Sequence, residues 1–210
     1  MSRFVLRHLA LATALVGVPA TLLEAQGEPE RGGPTVIMIV PYAGVSIPTH
    51  TLLVATDGEG GWEARTGYVL GARLQIPIRP RLEAHADIGY ARSRVQGIGS
   101  SNGSQSGYAN FLGVSARLAY QITPVRRRGV SVALNAGGGW IRHWIASPQP
   151  AISNWPAAVA GVQVGVPFIR GVRLTLGAES WLYNAKFDGP DPVKTGQQDF
   201  RITVGVSGGR

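Results

Sequence analysis

The chain has 210 residues, with 29 glycines, 14 prolines, no cysteine, 15% charged residues and a formal net charge of +8. That is one domain's worth of chain, and an ordinary hydrophobic content of 44%, scattered rather than blocked, argues against disorder and against a bundle of membrane helices. Without cysteine there is no disulfide framework, thiol nucleophile or thiolate metal site.

At the N-terminus, Arg3, Arg7 and His8 precede an apolar stretch from Leu9 to Leu23 and then Glu24-Ala25-Gln26, the pattern of a cleavable secretory signal cut after Ala25. Interrupted by Gly17 and Pro19, the stretch is shorter than the roughly 20 residues a spanning helix needs. Export removes nucleic acid from the partners that a basic chain invites and leaves anionic lipid or lipopolysaccharide. Residues 26–34 (QGEPERGGP) read as a short flexible lead, so the domains expected are signal 1–25, lead 26–34 and one folded domain 35–210.

From there the texture is uniform. Eight segments alternate apolar with polar or small residues, at about 35–47, 64–76, 81–95, 108–122, 130–144, 157–168, 172–184 and 199–209. The linkers His50 to Glu63, Gln96 to Gly107, Ile145 to Pro156 and Ala185 to Gln198 are long and polar; Pro77 to Pro80, Thr123 to Gly129 and Ile169 to Gly171 are short. Long loops alternating with short turns are the habit of outer-membrane barrels and place both termini in the periplasm.

Strand side chains point alternately to opposite faces, so residue parity sorts each segment. In the third segment the even positions are Leu82, Ala84, Ala86, Ile88, Tyr90 and Arg92, and the odd ones Arg81, Glu83, His85, Asp87, Gly89, Ala91 and Ser93. The second, fourth, seventh and eighth repeat the division; the fifth and sixth are diluted by glycine and alanine, and the first opens on an apolar run. Alternation alone fits either a soluble barrel with an apolar core or a membrane barrel with an apolar outer band. Aromatic placement chooses the second: Tyr68, Tyr90, Tyr108 and Trp140 fall near one set of strand ends, Tyr120 and Phe168 near the other, as two interfacial girdles would. The opposite face is mostly glycine, alanine and serine with isolated charges, which suits a crowded lumen in a barrel of eight strands. The fold class expected is all-β, an eight-stranded antiparallel up-and-down transmembrane barrel.

The segment pattern, with PYAGVSIP at 41–48 and DFRITVGVS at 199–207, resembles the small outer-membrane β-barrel superfamily that includes OmpA-like and OmpW-like proteins. It departs in ending on Ser207-Gly208-Gly209-Arg210 rather than an aromatic residue. The resemblance implies a monomer handled by the barrel assembly machinery, with outer-membrane lipid and lipopolysaccharide as surroundings. It implies a non-enzymatic structural or surface-interaction role; OmpW-like passage of small solutes and lipid A modification are the alternatives.

Interior-facing charges are Arg65, Arg73, Arg81, Glu83, Asp87, Arg117, Arg173, Glu179, Asp199 and Arg201, expected as a salt-bridge ladder plugging the lumen, with a charge-lined gate as the alternative. The tight turn at Pro77 to Pro80 is expected to set Arg73 near Glu83, with Asp87 and Arg117 at similar depth. Arg92 and Arg142 have the lipid-facing parity near loop ends, where they would snorkel or contact lipopolysaccharide phosphates. His50, His85 and His143 are too scattered for a metal site, and no metal or cofactor is expected. The His-x-Ser pair of lipid A deacylases is absent, leaving His143, Ser147 and Glu179 as the only conceivable catalytic participants. Gly137-Gly138-Gly139 lacks the Lys-Ser/Thr of a phosphate loop and is read as a bend or bulge; Arg126-Arg127-Arg128 is read as a solvated turn.

Overall fold

The computed structural model describes residues 37–49, 51–54, 61–98, 106–123, 129–145, 151–169, 171–186 and 194–208. The expected signal and lead, His50, Ser147 and Arg126 to Arg128 lie outside them. Ten strands form: β1 (Met38–Pro48), β2 (Thr51–Val54), β3 (Gly61–Ala64), β4 (Gly67–Arg79), β5 (Leu82–Ile98), β6 (Ser106–Gln121), β7 (Ser131–Ile145), β8 (Ala151–Ile169), β9 (Val172–Lys186) and β10 (Lys194–Gly208). All pairings are antiparallel. Strands β4 to β10 pair in sequence order, and β1 joins both β4 and β10, so eight strands close on themselves and no membrane-level edge is left unpaired.

Every expected segment is a strand, but the strands outrun them. Strand β5 continues to Ile98, β6 begins at Ser106, β8 at Ala151, and β9 and β10 reach Lys186 and Lys194. The first long linker contains β2 and β3, which pair with each other; β3 also extends the β4 ladder along β5. The Arg65 amide, between β3 and β4, donates to the Arg94 carbonyl at 2.8 Å and carries the ladder across the break. Toward the long loops the inward residues Val95, Ala109 and Ile145 are apolar and the outward Arg94 and Asn154 polar, so the alternation seen lower in the wall is reversed or lost while the backbone still needs its hydrogen bonds.

Parity holds on all seven strands from β4 to β10, with odd residues inside; β1 is the reverse, with Val40, Tyr42 and Ser46 inside and Ile39 and Val45 out. Outside, Ile39 is 68% exposed, Phe168 64% and Leu118 55%; inside, Arg201 is 1%. The polarity of a soluble barrel is inverted.

Interior glycines are explained by neighbours rather than bends. Pairing runs unbroken through Gly137-Gly138-Gly139 on both sides of β7, correcting the bulge expected there. The irregularities fall instead at Thr51/Leu53, Pro77/Arg79 and Pro167/Ile169, the last two at short turns. A Cβ on Gly139 would stand 3.2 Å from the Trp181 ring, and one on Gly113 3.1 Å from it. Gly71 and Gly89 accept the Tyr42 ring in the same way. Gly171, at φ +78°, makes the tight turn into β9 that a residue with Cβ would resist.

Candidate functional site

Three layers fill the lumen. The middle one is a closed quartet. Pairing of Arg73 with Asp87 across β4 and β5 brings Arg73 Nε to 2.9 Å from Asp87 Oδ2; Arg117, on β6, reaches the same oxygen at 2.8 Å. Glu179 comes from β9, on the far side of the barrel, and its Oε1 takes both Arg117 at 2.7 Å and the Arg73 guanidinium. Two cations and two anions thus alternate in a neutral ring spanning the lumen. Tyr42 donates to Asp87 Oδ1 at 2.8 Å, Arg117 to Asn135 at 3.1 Å and Arg73 to Gln163 at 3.1 Å. Side-chain exposure is 0% at Asp87 and Arg117. Among the described residues the ring is covered from solvent.

Toward the long loops the second layer is aromatic. Arg201 lies between Phe111 and Trp181, with its guanidinium carbon 4.1 and 4.3 Å from the ring centroids. Phe111 meets Trp181, Tyr183 and His143 edge-on at 5.8, 6.2 and 5.9 Å. Among the described residues none of the three Arg201 guanidinium nitrogens has a hydrogen-bond partner, so the ring faces carry the contact. Tyr183 donates to Asp199 at 3.0 Å. A cavity of about 10 Å³ beside Ser93, Phe111, His143 and Asp199 has room for about one water.

Toward the short turns, His85 contacts Glu83 at 3.1 Å, and Arg173 donates to Ser131 Oγ at 2.6 Å and to the Gly129 and Gly165 carbonyls at 3.0 and 2.9 Å.

Of the charges expected together, the structure assembles Arg73, Asp87, Arg117 and Glu179. Arg73 meets Asp87 rather than Glu83, a correction set by the turn, which closes at Pro80-Arg81 with Arg79 opposite Leu82, later than expected, so that Glu83 stands opposite Pro77 near the turn and beside His85. Arg65 is exposed and bonds Gln96 at 2.6 Å, outside the lumen network, because it sits where the barrel wall passes into the β2–β3 extension. Arg173 is half-buried at the mouth and is held by carbonyls and a hydroxyl. Asp199 and Arg201 belong to the aromatic layer.

On the outer wall, Tyr68 and Tyr90 are in ring contact at 6.4 Å, and Tyr90 meets Trp144 at 6.2 Å. Arg92 lies over Tyr108 at 4.0 Å, and Arg142 is exposed. Trp140 is exposed among apolar neighbours; Tyr120 and Phe168 face outward near the short turns. The interior aromatics Tyr42, Phe111, Trp181 and Tyr183 are the residues that sequence reasoning passed over, and His143, named there for other reasons, packs among them. For all but Tyr42 the odd parity of their strands carried the signal.

His143 is packed against Phe111, and Glu179 is committed to two arginines.

The fold is that of the small, closed, eight-stranded outer-membrane barrels. Neither a family model nor a curated relative matches the sequence. Among solved structures the chain is similar to outer membrane protein OprG from Pseudomonas aeruginosa, with 11% identity and a TM-score of 0.60 over 84% of this chain and 97% of that one. Neisserial surface protein A matches with 12% identity and a TM-score of 0.55, over 83% of this chain and 97% of that one. The outer membrane protein AlkL, solved in lipid bilayers, matches with 17% identity and a TM-score of 0.51, over 88% and 95%. At such identities the likeness concerns the fold.

Proposed function

We propose that the chain is a monomeric, non-enzymatic outer-membrane protein whose lumen is closed by its own side chains, and which stabilises the envelope or presents its loops to surface partners. The carrying observation is the placement of polarity: buried charges at mid-lumen beside a buried aromatic and aliphatic cluster, inside a wall whose outward residues are aliphatic and aromatic. Such a wall is stable where hydrocarbon replaces water, and the closed ladder satisfies every backbone group at that depth. The long-loop end faces the cell exterior and both termini the periplasm, in keeping with loop lengths and with the aromatic and arginine residues near the loops. Lipid and lipopolysaccharide surround the barrel, and the assembly machinery inserts it.

Reconstituted protein should be heat-modifiable on a gel, fractionate with outer membrane, and give no unitary conductance in a planar bilayer. Regular conductance steps from the wild-type chain would overturn the plugged lumen in favour of small-solute passage. Lipid A from cells with and without the protein should have the same mass spectrum; a changed acyl count would make the chain an enzyme.

A further inference from the structure

Resting on that membrane reading, we propose a lipopolysaccharide site on the outer wall of β5, β6 and β7, in which an acyl chain lies in a groove and lipid A phosphates meet Arg142 and Arg92. The groove has a volume of about 640 Å³. Its floor is Ala86, Ala116 and Gly138, directly opposite one another across the three strands. Ile88, Val114 and Trp140 wall it on the loop side, and it continues over β4 and β1 to Ala72, Leu74 and Ile39. Small side chains in one register beside large ones leave a trough in an otherwise convex wall.

Apolar shape alone would admit any lipid tail. The cations at the loop end of the trough select. Beyond Trp140, the next outward residue on β7 is Arg142, about 7 Å further along the strand. On β5, Ile88 is followed outward by Tyr90 and Arg92. Arg92 pairs with Asn110 and Arg142 with Leu112, so the two arginines flank β6 from either side. Among the described residues neither is in an ion pair. The Arg92 guanidinium is fixed over the Tyr108 ring at 4.0 Å, and its Nε has no hydrogen-bond partner. Two unneutralised guanidinium groups above an apolar trough complement an amphiphile with phosphates at one end and chains at the other. A bisphosphorylated sugar head can engage both; a glycerophospholipid offers one phosphate.

The test uses the full refolded barrel in detergent, titrated with lipid A, dephosphorylated lipid A or phosphatidylglycerol and read by native mass spectrometry. Wild type should hold lipid A, and the double variant Arg92→Ala/Arg142→Ala should bind it about tenfold or more weakly, as loss of charge-assisted pairs implies. Dephosphorylated lipid A should bind wild type and the double variant alike. A Cβ on Gly138 meets nothing closer than 3.9 Å, so Gly138→Leu fills the trough without disturbing the barrel, and it too should weaken lipid A binding. Equal lipid A affinity in wild type and the double variant, or equally tight phosphatidylglycerol binding, overturns the site. Each variant is first shown to be heat-modifiable. A wild-type chain that inserts into vesicles yet ignores lipid A sinks the site alone, whereas one that does not insert sinks the membrane reading and the site with it.

Discussion

Arg117 and Arg201 occupy neighbouring layers of one lumen, and both are sealed from solvent, yet they are held by different chemistry. Arg117 is bound by two carboxylates and an amide oxygen. Arg201 is clasped between two ring faces with no hydrogen bond to its guanidinium among the described residues. The first arrangement is directional and cross-links β4, β5 and β6 to β9; removing any member strands the others. The second is a stack of shapes, in which aromatic bulk on one strand is received by glycine on another. A plug can therefore be a lock of charges at one depth and a packed solid at the next.

Substitutions can break this contrast in decreasing order of effect. Glu179→Ala leaves Arg73 and Arg117 sharing Asp87, and stability in urea, followed in lipid vesicles, should fall by about 3–5 kcal/mol, the usual cost of an uncompensated buried charge. Trp181→Ala removes a fully buried ring, but neighbours can relax into the space, and the loss should be about 3 kcal/mol. Conductance tests the two layers together: Glu179→Ala and Trp181→Ala should each remain silent in a planar bilayer because the other layer still closes the lumen, whereas Asp87→Ala/Glu179→Ala/Trp181→Ala, which opens both, should show unitary steps. Gly113→Val sets a side chain against Trp181 and Phe111 and should cost about 1–3 kcal/mol by overpacking. Tyr42→Phe deletes one hydrogen bond to Asp87 and should cost about 1 kcal/mol, the smallest change of the series. If Trp181→Ala matched Glu179→Ala in stability, the distinction between lock and packing would be lost.

Much of this was legible in the sequence because a barrel wall is a period-two object. Once Leu82 and Glu83 take opposite faces, every residue to Ser93 is assigned, and seven strands repeat the scheme. Depth was less legible, because it depends on how each hairpin registers. The turn at Pro80-Arg81 and the irregularity at Pro77/Arg79 together set Arg73 opposite Asp87, and nothing in the local alternation announces that offset. Glu179 was assigned to the correct face, but its partners lie across the barrel and are set by closure. Strand ends such as Ile98 and Lys194 were missed because no apolar band marks them. The triplet at Gly137 to Gly139 was read as a bend or bulge, but pairing is unbroken there, and Cβ atoms on Gly137 and Gly139 would meet the Ala116 and Val114 carbonyls and, at Gly139, the Trp181 ring, neighbours that reside on other strands.

Closure joins the beginning of the folded chain to its end, with Tyr42 opposite Gly205. The quartet likewise needs Asp87 from an early hairpin and Glu179 from a late one, so a chain that stops short of β9 leaves Arg73 and Arg117 with one carboxylate between them. Folding of this chain is consequently high in contact order and slow to nucleate from fragments. An N-terminal piece delivered alone would carry exposed strand edges and unmatched charge, a state that cannot settle in hydrocarbon. Charge balance in the ring is reached once β9 is in place, but the backbone ladder closes only when the last strand pairs with β1.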